Sequence, residues 1–140
     1  MTGYKRIFID TSPFIYYLEN SSLYFGKMLK FFTKCYMDKI EIVTSTITVE
    51  EYLVYPYSGQ KTELIENFDR FLKYMKIKVV PIDEEIARQA AKVRAKYKDF
   101  KAMDALQIAT ACISKCDLIF TNDKQLRQFE EIKCITIDEW

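Results

Sequence analysis

Short apolar runs alternate along the chain with longer stretches whose apolar residues recur at helical spacing. No other feature narrows the fold as much. The runs are Ile7-Phe8-Ile9, Ile40 to Thr44, Ile77 to Val80, Leu118 to Phe120 and Cys134 to Ile137. They are too short for helices, and only Glu41, Lys78 and Thr136 interrupt them. Strands buried on both faces read this way, which predicts an α/β fold with a short parallel sheet covered by helices on both sides.

The intervening stretches supply the helices. Ser12 can cap a helix with Pro13 at its first position, running from Phe14 to about Asn20. Residues 23–38 and 61–76 carry amphipathic patterns, the second through Leu64, Ile65, Phe68, Phe71, Leu72 and Met75. A short helix at 47–54 should stop near Pro56. Asp83 can cap a helix over 84–97, residues 103–115 read as a buried Ala-rich helix, and another helix starts near Asp123.

A chain of 140 residues, with three Gly and three Pro and no linker or repeat, predicts one domain spanning 1–140. Residues 1–6 lead into the first strand without an apolar leader, and no run is long enough for a membrane span, so a cytoplasmic protein is expected. Cysteines stand at 35, 112, 116 and 134, a spacing better suited to buried free thiols than to zinc. Histidine is absent, which excludes Ser-His-Asp and Cys-His catalysis and His-ligated metals. An enzyme built from this chain must work with carboxylates, hydroxyls, lysines or an oxygen-ligated metal.

Acids fall where the architecture puts ligand sites, at the carboxyl ends of strands. Asp10 ends the first strand, Asp123 follows Leu118-Ile-Phe-Thr-Asn, Asp104 opens the buried helix, and Glu50 and Glu51 lie in the helix after the second strand. Each has a plain structural reading: Asp10 and Asp123 as helix caps, Asp104 on the helix dipole, the glutamates on an exposed face. Grouped at one edge, however, the acids would repel one another unless something cationic offset them. Oxygen ligands favour Mg²⁺ or Mn²⁺, one or two ions. Such an ion beside a basic helix suggests phosphodiester chemistry. Net charge is only +1, but Arg88, Lys92, Arg94, Lys96, Lys98 and Lys101 face a single acid, Asp99, over residues 88–101. That run reads either as a solvated helix face or as a surface for a polyanion.

The blocks "FIDTSPFIYYLE", "TSTITVEEYLVYP", "MDALQIATA" and "LIFTNDKQL" resemble, in order and spacing, those of PIN domains, above all the VapC-type toxins and their PilT-N-terminus-like relatives. The resemblance spans nearly the whole chain. It implies a three-layer α/β/α sandwich and a Mg²⁺- or Mn²⁺-dependent ribonuclease acting on single-stranded or structured RNA. It implies Asp10 and Asp104 as the main metal ligands, Asp123 as a further acid, Thr121 lining the site, and Ser12 at the small polar position after the first acid. Helical phase leaves Glu50 and Glu51 open as the helix-borne acid; the family pattern favours Glu51, before Tyr52. The basic residues Arg88, Lys92, Arg94 and Lys96 become candidate RNA contacts. VapC-type proteins usually pair with an antitoxin and commonly form homodimers, which makes both expected partners. Tyr16, Tyr17, Tyr55 and Tyr57 could stack on bases or pack a partner.

Other readings compete. A haloacid-dehalogenase-like phosphatase also begins with a strand ending in Asp, but wants a second Asp where Ser12 stands. A phospho-accepting receiver domain needs an acidic pair after the first strand and an Asp after the third, where Val80-Pro81 stands. A non-catalytic PIN-like module binding RNA or protein would gain nothing from the repulsion of four acids.

Overall fold

A computed structural model describes residues 3–140. Five strands, β1 (Arg6–Ile9), β2 (Glu41–Ser45), β3 (Lys78–Val80), β4 (Leu118–Thr121) and β5 (Cys134–Thr136), form one parallel sheet in the order β3-β2-β1-β4-β5. Six helices connect and cover them: α1 (Thr11–Leu18), α2 (Phe25–Met37), α3 (Thr46–Ser58), α4 (Thr62–Tyr74), α5 (Glu84–Lys96) and α6 (Ala102–Ile113). Short 3₁₀ segments follow β4 and β5, at Lys124–Gln128 and Ile137–Glu139.

The period of two along each strand sorts side chains between two cores. Ile7 and Ile9 of β1 and Leu118 and Phe120 of β4 face one layer, with Phe14 of α1, Phe31 and Phe32 of α2, Tyr52 of α3 and Phe68 of α4. Phe8, Val43 and Ile119 face the other, against α5 and α6. Phe8 lies opposite Val43 on β2 and Ile119 on β4, so the register lines up the apolar residues of three strands on that face. This is the expected α/β/α sandwich.

Three local expectations need correction. Helix α1 starts at Thr11, and its cap is Asp10, not Ser12; Pro13 sits within the first turn. Helix α3 does not stop before Pro56 but runs through it to Ser58. Pro56 sits in the last turn, is buried, and accepts from the Lys61 amide at 2.7 Å, while the Gly59 amide reaches the Tyr55 carbonyl at 2.9 Å. The helix loses one hydrogen bond there and closes the turn around it. The segment after Asp123 is a 3₁₀ turn.

All four cysteines are free thiols, Cys35 and Cys116 buried and Cys112 and Cys134 partly so. Among the described residues no helix is long and apolar enough to cross a membrane.

Candidate functional site

Strand order reverses between β1 and β4: the chain builds β2 and β3 on one side of β1, then returns to add β4 and β5 on the other. In open parallel sheets such a reversal is where ligands bind, outside the carboxyl ends of the strands. Asp10 stands at that point, its amide donating to the Phe120 carbonyl at 3.1 Å. Asp123 lies two residues beyond the end of β4, and Asp104 lies in the first turn of α6. Glu51 is carried by α3 and turned toward α1, where its Oε1 accepts from the Thr11 hydroxyl at 2.5 Å.

Asp10 is half-buried and densely bonded. Its Oδ1 accepts from the Thr11 amide at 2.8 Å and from Gln107 Nε2 at 3.3 Å. Its Oδ2 accepts from Thr121 Oγ1 at 2.9 Å. Thr121 Oγ1 in turn accepts from the Asp123 amide at 2.9 Å, so one hydroxyl ties two of the acids together. The capping reading of Asp10 is therefore realised on Oδ1, while Oδ2 is tied to Thr121.

Burial pushes the Asp10 carboxyl above its ordinary value; the donors from Thr11, Thr121 and Gln107 oppose this, and the charge of Asp123 adds to it. Burial likewise raises Glu51, whose carboxylate is turned inward although most of the residue is exposed; Thr11 opposes the shift, and the charges of Asp10, Glu50 and Asp104 reinforce it. Asp104 is raised by burial and by Asp123 and Asp10, while Lys101 lowers it. The acids named from the sequence thus lie within one another's fields. Among the described residues, however, no three of His, Cys, Asp or Glu come close enough together to hold an ion as they stand. Three of the four rest on local donors: Asp10 on the Thr11 amide, Asp123 Oδ1 on the Gln125 amide at 2.9 Å, Glu51 on the Thr11 hydroxyl. As a donor set they are hard oxygens under mutual repulsion, which suits Mg²⁺ or Mn²⁺.

A sequence model of the PIN domain matches residues 7–132. The chain belongs to the PIN domain family. Solved structures share this PIN fold along almost its full length. A toxin–antitoxin complex from Klebsiella pneumoniae has a chain 18% identical with a TM-score of 0.69, covering 94% of this chain and 97% of its own. VapBC2 from Rickettsia felis, bound to a DNA fragment from its promoter, has one 14% identical with a TM-score of 0.71, covering 94% and 98%. VapC20 from Mycobacterium tuberculosis, a sarcin-ricin loop cleaving toxin, is 16% identical with a TM-score of 0.66, covering 91% and 98%. At these identities the likeness is one of fold. No curated sequence matches the chain.

Several residues of the PIN fold that shape the site were not evident from the sequence. Gln107 is buried on α6, one turn beyond Asp104, and bonds Asp10, Thr48 and Ser45. Thr11 touches both Asp10 and Glu51, and Asn122 donates to the Tyr16 hydroxyl at 3.0 Å. A signal for Gln107 existed: it is the amide in an otherwise apolar run, three residues after an acid and so on the same helix face. Ser12 lies within the first turn of α1, beside the site residues in sequence, and Glu50 is exposed.

Most of the basic run lies on α5. Arg88 pairs with Glu84 at 2.7 Å and Lys96 with Glu131 at 3.3 Å, all on exposed surface. Lys92 and Arg94 are also exposed, and it is Lys101 whose charge reaches Asp104. Of the tyrosines, Tyr16 and Tyr17 are partly buried against Tyr24, Phe25 and Phe32, whereas Tyr55 and Tyr57 are exposed.

The raised Asp10 carboxyl predicts a pH signature. As pH falls, the native state takes up its proton at Asp10 before the unfolded chain does, so the ionised group opposes folding at neutral pH and ceases to do so in acid. In metal-free protein the Asp10→Asn variant should melt above the wild type at neutral pH, with the gap closing as pH falls toward the ordinary value of 3.8. Thermal melts of both proteins in chelator read this directly; a gap independent of pH would contradict it.

Proposed function

We propose that the protein is a divalent-metal-dependent ribonuclease hydrolysing RNA, and the toxin of a toxin–antitoxin pair. The observation that supports the reading is that Asp10, at the β1/β4 reversal, is linked through Thr121 to Asp123 and through Thr11 to Glu51, with Asp104 in the first turn of α6, in a chain of the PIN family. The folds it shares with toxin–antitoxin complexes support the toxin role.

Asp10 and Asp104 are the residues to hold the cation, with Asp123 and Glu51 completing the donor set. A divalent ion held by these residues would supply an activated water and offset the charge on the scissile phosphate. Hydrolysis then adds water at phosphorus and breaks the bond to the 3′ oxygen, which takes up a proton. The products are a 5′-phosphate and a 3′-hydroxyl. Thr121 and Gln107 hold the Asp10 carboxylate between two fixed donors, and Thr11 holds Glu51. The decisive experiment is cleavage of a mixed RNA pool with Mn²⁺ and with excess chelator. Cleavage only with the metal, with 3′-hydroxyl ends, is expected; full activity in chelator would reject the reading. One observation favours a non-catalytic binding module instead: Asp10, Asp123 and Glu51 already have local donors, and no three acids stand in ligating proximity among the described residues. RNA binding without cleavage at any Mn²⁺ concentration would select it.

The exposed bases of α5 are the proposed contacts to the RNA backbone. Reversing Lys92 and Arg94 to glutamate should weaken RNA binding and flatten its salt dependence, by roughly 0.7 in log–log slope for each phosphate of a single strand that is no longer neutralised. Fluorescence anisotropy across a salt series measures this, and an unchanged slope would make α5 an ordinary solvated face.

A further inference from the structure

The side-chain amide of Gln107 is buried next to Asp10, and the protons around it leave it one orientation. Ser45 Oγ accepts from the Ile47 amide at 3.1 Å, which leaves its own proton for Gln107 Oε1, 2.5 Å away. With Oε1 fixed, Nε2 faces Asp10 Oδ1 at 3.3 Å and Thr48 Oγ1 at 3.0 Å, one acceptor for each of its two protons. The neighbouring hydroxyls agree. The Ile9 carbonyl can only accept, so Thr44, at 2.8 Å, donates to it. Thr44 must then accept from Thr48, also at 2.8 Å, which leaves Thr48 Oγ1 open to receive from Gln107. A flipped amide would set Oε1 against the Asp10 carboxylate and Nε2 against the Ser45 proton, two unfavourable contacts inside the fold.

The consequence falls on Asp10. A carboxylate oxygen offers two lone-pair positions. On Oδ1 both are taken, by the Thr11 amide and by Gln107. On Oδ2 one is taken by Thr121, which donates there because an ionised carboxylate oxygen can only accept. One position on Oδ2 is left.

We propose that Gln107 is a positioning residue: it closes Oδ1 of Asp10 and leaves Oδ2 as the single atom through which Asp10 meets a cation. This rests on the reading of the acids as a cation site. Gln107 also joins α6, which carries Asp104, to the start of α3, which carries Glu51, so one amide sets the spacing of three site elements.

The test is Mn²⁺ binding by titration calorimetry on the full chain, with a thermal melt of every variant. Gln107→Met keeps the length and most of the volume of the side chain but removes the donor. It should remain folded and bind Mn²⁺ roughly 10- to 100-fold more weakly, the range seen when a residue behind a metal ligand is removed. Ser45→Ala keeps Gln107 and all four acids but releases the amide to flip, and should weaken Mn²⁺ binding by a smaller factor. A side chain that only fills space would lower the melting temperature and leave the affinity of the folded protein unchanged. That result, in Gln107→Met or, should that variant not fold, in Ser45→Ala, overturns the proposal. Asp10→Asn separates the two claims. If it loses Mn²⁺ and Gln107→Met does not, the cation site stands and the role of Gln107 falls. If it binds as wild type does, both fall.

Discussion

Asp10→Asn will abolish Mn²⁺-dependent RNA cleavage while leaving the fold intact. Both halves of this result follow from the two sides of the carboxylate. The side facing Thr11 and Gln107 needs only an acceptor, and an asparagine oxygen supplies one; Asn and Asp are equally good at helix N-termini. Asparagine also removes a charge that burial and Asp123 disfavour, so stability at neutral pH should hold or rise. The side facing Thr121 is different. There the variant presents its N–H₂ group, which cannot ligate a cation. The loss should exceed the roughly 10- to 100-fold expected for residues behind a ligand, because the proposed ligand itself is removed. Two measurements check it: the melting temperature beside the wild type, and cleavage of an RNA pool across a Mn²⁺ series. A folded variant that cuts at the wild-type rate would remove Asp10 from the chemistry. A variant that fails to fold would show that the capping role dominates, contrary to the geometry of Oδ1.

The neighbours of Asp10 also mark how far the sequence could be read. The strands were legible because runs such as Ile7-Phe8-Ile9 and Leu118-Ile119-Phe120 are buried on both faces, and few other structures bury so short a run so completely. The positions of the acids were legible because a parallel sheet sends the carboxyl ends of its strands to one edge. Helix ends were less so. Asn20, Lys39, Gln60, Lys76 and Lys115 all adopt left-handed backbone just past a helix, with φ between 52° and 57°. Glycine normally announces that position, and here polar and lysine side chains occupy it. The amide of Ile40 reaches the Cys35 carbonyl at 2.9 Å and that of Ile77 the Leu72 carbonyl at 2.9 Å, so these turns are closed by backbone bonds that no residue type reveals. Gln107 was missed for a related reason. Its meaning depends on Ser45 and Thr48, more than fifty residues away in sequence, and a polar residue shows its partners only once the sheet has placed them.

Phe14→Ala will strip the protein of much of its stability without touching the chemistry of any acid. Phe14 is fully buried on α1, four residues after Asp10, and its ring lies 6.0 Å from that of Phe32 and 6.3 Å from those of Phe68 and Phe71. It therefore joins α1 to both α2 and α4. Truncating a buried phenylalanine to alanine typically costs about 3–5 kcal/mol, through the transfer energy of the ring and the cavity left behind. Against a total of roughly 5–15 kcal/mol for a domain, that is a large share. The melting temperature should fall by about 6–20 °C, at roughly 2–4 °C per kcal/mol for a chain approaching 150 residues. In urea the midpoint should drop while the slope stays constant, since the unfolded chain exposes nearly the same surface. The functional consequence separates this variant from Asp10→Asn. Thr11, whose amide holds Asp10 and whose hydroxyl holds Glu51, is the first residue of the helix that Phe14 anchors. Below its own melting point Phe14→Ala should still bind Mn²⁺, because every donor is present, and should lose binding in step with unfolding as temperature rises. If binding vanished well below the melting transition, the anchoring of α1 by Phe14 would itself be what keeps Asp10 and Glu51 in place.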